Sequence, residues 1–297
     1  MYLIMDKLSP PKVSVVCAWY NRADYIETTL NSLLDQDFDS YEIIVVNDGS
    51  SDPRVKRILD AYKDPKLKIF HQKNAGFVSA LSKAIELSCG DFIAIQGAGD
   101  ISYRERISKQ YDYLIRNPNV GALGTGYAVS SQGSSLLRYR KPLAKREAKE
   151  LARGVPFTHG TVMYRKTIYQ QAGGYDKRFK YCSDWELYFR VLRVSKIEGI
   201  DKILYKKIEF DDGFSFDPQK KLIQYEYSLK ARGGTQSLRF LKGSRRVTYV
   251  VISISQCIKS IRSKRFKRSI EWLKKIPLSL SGHELKRVDS ELFWKRN

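Results

Sequence analysis

Apolar residues first gather in a β-branched run, Val13 to Ala18, bounded by Pro10-Pro11 and by the polar turn Tyr20-Asn21-Arg22. Such a run predicts a short buried strand. From Ala23 the spacing becomes helical, with Tyr25, Ile26, Thr29, Leu30 and Leu33-Leu34 on one side. A second apolar run, Tyr41 to Val46, stops at Asn47-Asp48-Gly49-Ser50-Ser51-Asp52 and predicts a strand, with a helix over Arg54 to Tyr62. A third strand is expected at Leu67 to His71, and a helix over Phe77 to Ser88 follows Asn74-Ala75-Gly76. Phe92 to Ile95 then forms a nearly unbroken apolar run, as in a strand buried on both faces. It ends in Gln96-Gly97-Ala98-Gly99-Asp100. Strand and helix alternate four times at short spacing, which predicts right-handed βαβ units and a parallel sheet.

A parallel sheet binds ligands beyond the carboxyl ends of its strands. Three of the predicted strands end there in polar side chains: Tyr20-Asn21, Asp48 and Asp100. A tyrosine ring offers a face for a base to stack on, and a carboxylate accepts hydrogen bonds from a base or sugar. Each position also has a plainer reading. Asp48-Gly49 suits a turn, with Ser50 or Ser51 capping the next helix. Asp100 suits the N-cap of a helix over Ile101 to Asn117. The chain holds neither G-x-G-x-x-G after its first strand nor G-x-x-x-x-G-K-[ST] anywhere. Dinucleotide-fold NAD binding and P-loop chemistry are therefore not expected.

The ordered segments VSVVCAWYNRADYIETTLNSLLDQ, YEIIVVNDGSSD and NAGFVSALSKAIELSCGDFIAIQGAGDIS resemble the nucleotide-binding half of the family 2 glycosyltransferases. The likeness continues through YRERISKQYDYL, THGTVMYRK, AGGYD and SDWELYFRVL, so it spans roughly Lys12 to Leu204. It implies an α/β GT-A fold: a mostly parallel, Rossmann-like sheet flanked by helices. It also implies an inverting enzyme that uses a nucleotide-diphosphate sugar as donor. By resemblance Tyr20, Asn21, Asp48 and Asp100 belong to the donor site, with Tyr20 and Asp48 at the base. Asp184 matches the position of the family's catalytic base. The family usually ends its fourth strand in an acidic triplet, D-x-D, whose second acid ligates Mn²⁺ or Mg²⁺. Here Gly97 and Gly99 stand at both acidic positions, and only the next acid, Asp100, remains as a candidate metal ligand. Two alternatives stay open. Asp100 serves as sole protein ligand with phosphate oxygens and waters around the cation, or Lys and Arg side chains neutralise the leaving diphosphate without metal. The segment where relatives often carry a metal-binding histidine reads LYKKIEFDDGFS, with Glu209, Asp211 and Asp212 but no histidine.

Sugar transfer needs a base for the acceptor hydroxyl, the role expected of Asp184. Trp185 beside it is a candidate to stack on an acceptor sugar, and His159 lies before a strand-like TVMY that the resemblance places near the acceptor. Ser183 to Leu192 also reads as an ordinary amphipathic helix with a capping box from Ser183 to Glu186. Ser130 to Lys149 is Ser/Gly-rich and then basic, which reads as a loop near the diphosphate or as solvated surface.

Charge changes the picture only at the end of the chain. From Gln219 onward there are 20 Lys and Arg against 5 Asp and Glu, so +15 of the total +21 sits in the last quarter. Two regions are expected: a catalytic domain over 1–218 and a basic, amphipathic helical C-terminal region over 219–297. In the latter, Arg239 to Ile276 interleaves basic residues with Val247, Val250, Val251, Ile254, Ile258, Ile261, Phe266, Trp272 and Leu273. That pattern suits an anionic membrane surface, where each basic residue adds about 1 kcal/mol. It equally suits helices packed on the catalytic domain or an oligomer contact. No apolar run reaches the roughly 18 residues of a membrane span, and the start lacks the order of a signal peptide. The four cysteines are scattered without C-x-x-C spacing, so a reducing cytosol is expected and a disulfide framework is not. The enzyme is accordingly expected in the cytoplasm, peripheral on the membrane's cytoplasmic face, building a polysaccharide or lipid-linked glycan. Two rival expectations are a basic nucleic-acid-binding protein, which the tail alone suggests, and a catalytically silent relative that lacks the acidic triplet.

Overall fold

The computed structural model describes residues 10–143, 151, 154–210, 227 and 231. The chain divides into two compact units, Met1–Glu209 and Phe210–Asn297. The elements described here all belong to the first. The expected boundary at 218/219 and the amphipathic pattern of Arg239 to Ile276 lie outside the described residues.

Four strands, β1 (Val13–Trp19), β2 (Tyr41–Asp48), β3 (Leu67–Gln72) and β4 (Phe92–Gly97), pair in parallel in the order β3-β2-β1-β4. The helices between them are α1 (Ile26–Leu34), entered through a 3-10 turn at Ala23–Tyr25, α2 (Pro53–Ala61) and α3 (Phe77–Glu86). This is the expected α/β alternation. The period of two along β1 sends Val13, Val15, Cys17 and Trp19 into one apolar layer and Val16 and Ala18 into the other. The first layer also holds Leu30, Leu33, Val55 and Leu59 from α1 and α2. The second holds Val78, Leu81 and Ile85 from α3.

Beyond β4 the sheet becomes mixed. After β5 (Ile101–Ser102) and α4 (Arg106–Arg116) come β6 (Val120–Ser131), β7 (Arg138–Arg140), β8 (Met163–Arg165), α5 (Lys166–Gln171), α6 (Ser183–Val194) and β9 (Lys196–Glu209). β8 inserts antiparallel between β4 and β6, β9 runs parallel to β6, and β5 closes antiparallel on β9.

Four local expectations are corrected. Asp52, not Ser50 or Ser51, caps α2: its carboxylate accepts from the Arg54 N–H, and Pro53 takes the first helical position, where no N–H is needed. Asp100 does not cap the following helix, because the chain first pairs as β5 and α4 starts only at Arg106. No capping box opens α6. Cys182 is its N-cap, and the Glu186 carboxylate is drawn instead to Arg190 one turn on. Within the loop expected over Ser130–Lys149, Ser130 and Ser131 end β6 and Arg138–Arg140 pair with it as β7, while 144–149 lie outside the described residues. Among the described residues no helix is long and apolar enough to cross a membrane.

Candidate active site

Register places the strand ends level with one another. Trp19 of β1 lies opposite Asn47 of β2, and Ala18 lies opposite Gly97 of β4. Tyr20, Asp48 and the turn from Gly97 to Asp100 therefore share the carboxyl edge. Tyr20 is 47% exposed there, its ring free to take a flat partner. Asn21 and Arg22 follow with φ of 55° and 62°, a left-handed geometry that costs energy for residues with a Cβ and so needs outside support. Asn21 receives that support from the next loop. Its Oδ1 accepts from the amides of Ser51 (2.9 Å) and Asp52 (3.2 Å), and its own amide donates to Ser50 Oγ at 2.8 Å. Asn21 is thus the brace between the first two strand ends.

Asp48 is buried, and three donors grip its carboxylate. Gln72 Nε2 and the Ala75 amide reach Oδ1 at 2.8 Å each, and the Gly76 amide reaches Oδ2 at 2.9 Å. A carboxylate offers about four acceptor positions, so one remains for a ligand. Asp48 orders the chain over 75–76, immediately before Phe77 opens α3. The Phe77 ring is half exposed and meets the His159 ring edge-on, with centroids 5.8 Å apart.

Asp100 is buried too, and β9 holds it. Oδ1 accepts from the Ile208 amide at 2.8 Å and Oδ2 from the Tyr205 hydroxyl at 2.7 Å. The same hydroxyl accepts from the Gly97 amide at 3.0 Å. A Cβ built on Gly97 would lie 2.4 Å from Asp100 Oδ2. The Asp100 carboxylate therefore fills the space a side chain at position 97 would need. A Cβ on Gly160 would lie 2.2 Å from the Tyr205 hydroxyl, so the ring packs directly against the segment carrying His159. Burial raises the Asp100 pKa above its usual value, with the hydrogen bonds from Ile208 and Tyr205 and the charges of Lys207 and Arg106 acting the other way.

Arg106 lies below this turn with no solvent exposure. Its guanidinium donates to Ile95 O (2.7 Å), Ser102 Oγ (2.8 Å), Gln96 Oε1 (3.0 Å) and Gln110 Oε1 (3.1 Å), and stands 5.0 Å from the Tyr205 ring centre. All these acceptors are neutral. Asp100 supplies the carboxylate charge that offsets this buried cation.

The donor set at this edge does not fit a hard dication. Such an ion wants several oxygen ligands, yet each Asp100 oxygen already accepts a hydrogen bond from the chain. A side chain at position 97 would have to displace the Asp100 carboxylate from its bonds to Tyr205 and Ile208, and Gly99 has a φ of 92°. Among the described residues no three His, Cys, Asp or Glu side chains group to hold a metal. Of the other acids in the segment, Glu209 pairs with Arg138 at 2.6 Å. Asp211 and Asp212 lie outside the described residues.

The third candidate acid is carried by α6. Asp184 is the second residue of this helix, in the first turn where peptide dipoles favour an anion. It is partly exposed, and among the described residues no side chain donates a hydrogen bond to it. Behind it lie His159, Tyr164, Tyr175 and Tyr188, all close enough to feel its charge. His159 Nε2 and the Tyr175 hydroxyl are 2.5 Å apart. The buried hydroxyls of Tyr164 and Tyr188 lie close to one another and to Tyr175. Burial lowers the His159 pKa below its usual value, partly countered by Asp184. Trp185 is turned inward: its indole N–H donates to Leu151 O at 2.8 Å, and its ring packs on the second apolar layer. Sequence reasoning missed Tyr205, Arg106, Lys207 and the tyrosines behind Asp184. For Tyr205 and Lys207 a signal was present in the two-residue spacing of LYKKIE, which puts both on one face of a strand.

The glycosyl transferase family 2 model matches residues 14–173. An uncharacterized glycosyltransferase of Rickettsia typhi is 30% identical over 223 residues, covering 73% of this chain and 70% of its own. One from Methanocaldococcus jannaschii is 25% identical over 236 residues, covering 76% and 81%. Two solved structures share the fold. Staphylococcus aureus TarS 1-349 in complex with UDP-GlcNAc matches with a TM-score of 0.58 at 14% identity, over 90% of this chain and 92% of that one. The mannosyltransferase PcManGT of Pyrobaculum calidifontis, in complex with GDP-Man and Mn²⁺, matches with a TM-score of 0.58 at 14% identity, over 92% and 81%. The chain is a glycosyltransferase with a GT-A-like fold and belongs to glycosyltransferase family 2.

Proposed function

We propose that the chain is an inverting glycosyltransferase that moves a sugar from a nucleotide-diphosphate sugar to a hydroxyl of a glycan or lipid-linked acceptor. The product on this reading is a polysaccharide or cell-surface glycan. The observation that carries the reading is the contrast between the three acids. Asp48 and Asp100 are committed to hydrogen bonds within the chain, whereas Asp184 alone has a carboxylate with no donor from a described side chain. A general base must be free to take a proton.

On this reading Tyr20 stacks on the base, Asp48 accepts from the base or sugar, and Asn21 holds the loop between them. Asp184 removes the acceptor hydroxyl's proton as that oxygen attacks the anomeric carbon from the face opposite the diphosphate. The bond between the anomeric carbon and the phosphate oxygen breaks, its electron pair leaves with the nucleoside diphosphate, and the configuration inverts. His159 lines the acceptor side between Phe77 and Asp184, and Trp185 supports that wall from behind. The basic stretch from Gln219 fits docking on an anionic membrane, which would bring lipid-linked acceptors to the site.

The test is thermal stabilisation by UDP-, GDP- and dTDP-sugars, with RNA as a control. Stabilisation by one class of sugar nucleotide and none by RNA is the expected result. Stabilisation by RNA alone, weakening steeply with salt, overturns the proposal.

A further inference from the structure

We infer that Lys207, and not a divalent cation bound at Asp100, meets the charge of the donor's diphosphate. The inference rests on the donor proposed above and deepens it.

Lys207 lies two residues beyond Tyr205 on β9. Pairing between β6 and β9 is regular from Tyr127↔Tyr205 to Ser131↔Glu209, and its irregularities all fall earlier. The alternation of a strand therefore holds, and Lys207 points to the same face as Tyr205. That face carries the Tyr205 hydroxyl onto Asp100 and Gly97, at the turn after β4. The Ile208 amide, next along the chain, donates to Asp100 Oδ1. Lys207 is only partly exposed, and among the described residues no carboxylate pairs with it. Its neighbour Lys206 alternates to the other face.

This arrangement places an ammonium that pairs with no carboxylate at ion-pair distance, among the described residues, beside a turn that carries a single acid. Asp100 is held by Tyr205 and Ile208 with one hydrogen bond on each oxygen, and a lone carboxylate so held supplies too few oxygens for a hard dication. When the bond to the anomeric carbon breaks, negative charge grows on the departing phosphate oxygens. A fixed cation at that place stabilises it, as a metal does elsewhere. The ammonium transfers no proton in the step; the electron pair stays on the diphosphate oxygen and the charges are paired.

The experiment is calorimetric titration of the full chain with UDP and with GDP, in EDTA and in Mn²⁺ or Mg²⁺, for the wild type, Lys207→Met, Lys207→Arg and Lys206→Met. One of the two nucleotides is expected to bind the wild type within about twofold with and without cation. Lys207→Met is expected to weaken that binding at least tenfold, Lys207→Arg to restore most of it, and Lys206→Met to match the wild type. Binding that requires the cation, or a Lys207→Met protein that binds as the wild type does in EDTA, overturns the inference and leaves the donor reading standing. Failure of UDP, GDP and, titrated in the same way, dTDP to bind under every condition overturns both.

Discussion

The Tyr205 hydroxyl stands 2.7 Å from Asp100 Oδ2 and 3.0 Å from the Gly97 amide, tying β9 to the end of β4. It donates to the carboxylate and accepts from the amide. Replacement by Phe would leave both groups buried and unmatched, at a cost of about 1–3 kcal/mol. Tyr205→Phe is therefore expected to melt several degrees below the wild type, by calorimetry or circular dichroism.

Gly97 leaves the space that the Asp100 carboxylate occupies. Restoring an acid there should not restore a metal site. The new Cβ would lie 2.4 Å from Asp100 Oδ2, and two carboxylates would compete for one space above Arg106. Gly97→Asp is expected to lose about 1–3 kcal/mol in denaturant unfolding and to gain no response to Mn²⁺ or Mg²⁺ in thermal shift.

Asp48 holds the chain ahead of α3 through the amides of Ala75 and Gly76. Asp48→Ala strips both amides and Gln72 Nε2 of their acceptor. The expected outcome is a loss of about 1–3 kcal/mol together with at least tenfold weaker nucleotide binding. Equilibrium unfolding and calorimetry measure the two separately.

His159 gives the stability a pH dependence of defined sign. Its folded pKa lies below the ordinary value of 6.5 because burial disfavours the charged ring. Between the two values the unfolded chain binds more protons, so stability falls as pH drops from about 6.5 through the folded value. Asp100 acts oppositely. Its raised pKa contributes stability that is present below the unfolded value near 3.8 and is lost as pH rises through the folded one. His159→Gln is expected to flatten the decline below about pH 6.5, measured as urea midpoints across pH.

The parallel half of the sheet was legible because β1, β2 and β4 are buried on both faces and read as continuous apolar runs between polar turns. Their ends could be placed within two residues. The second half was harder. β6 spans Val120–Ser131 with three glycines and β9 mixes lysines with apolar residues, so neither shows a clean period. Asp100 illustrates the limit for the site. Its position at a strand end was visible, but its partners lie 105 and 108 residues away, and no local pattern encodes such contacts. Trp185 is similar: a tryptophan beside an acid looks available to a sugar, and only packing shows the indole turned to Leu151.

The most direct test of sugar transfer through Asp184 compares wild type with Asp184→Asn, using labelled UDP-, GDP- and dTDP-sugars and a membrane and glycan extract as acceptor. Label is expected to reach the extract with the wild type. With Asp184→Asn it should fall by about 10²–10⁴-fold, the range for losing a general base, while donor binding by calorimetry stays within about twofold. Transfer by Asp184→Asn at the wild-type rate would contradict the account.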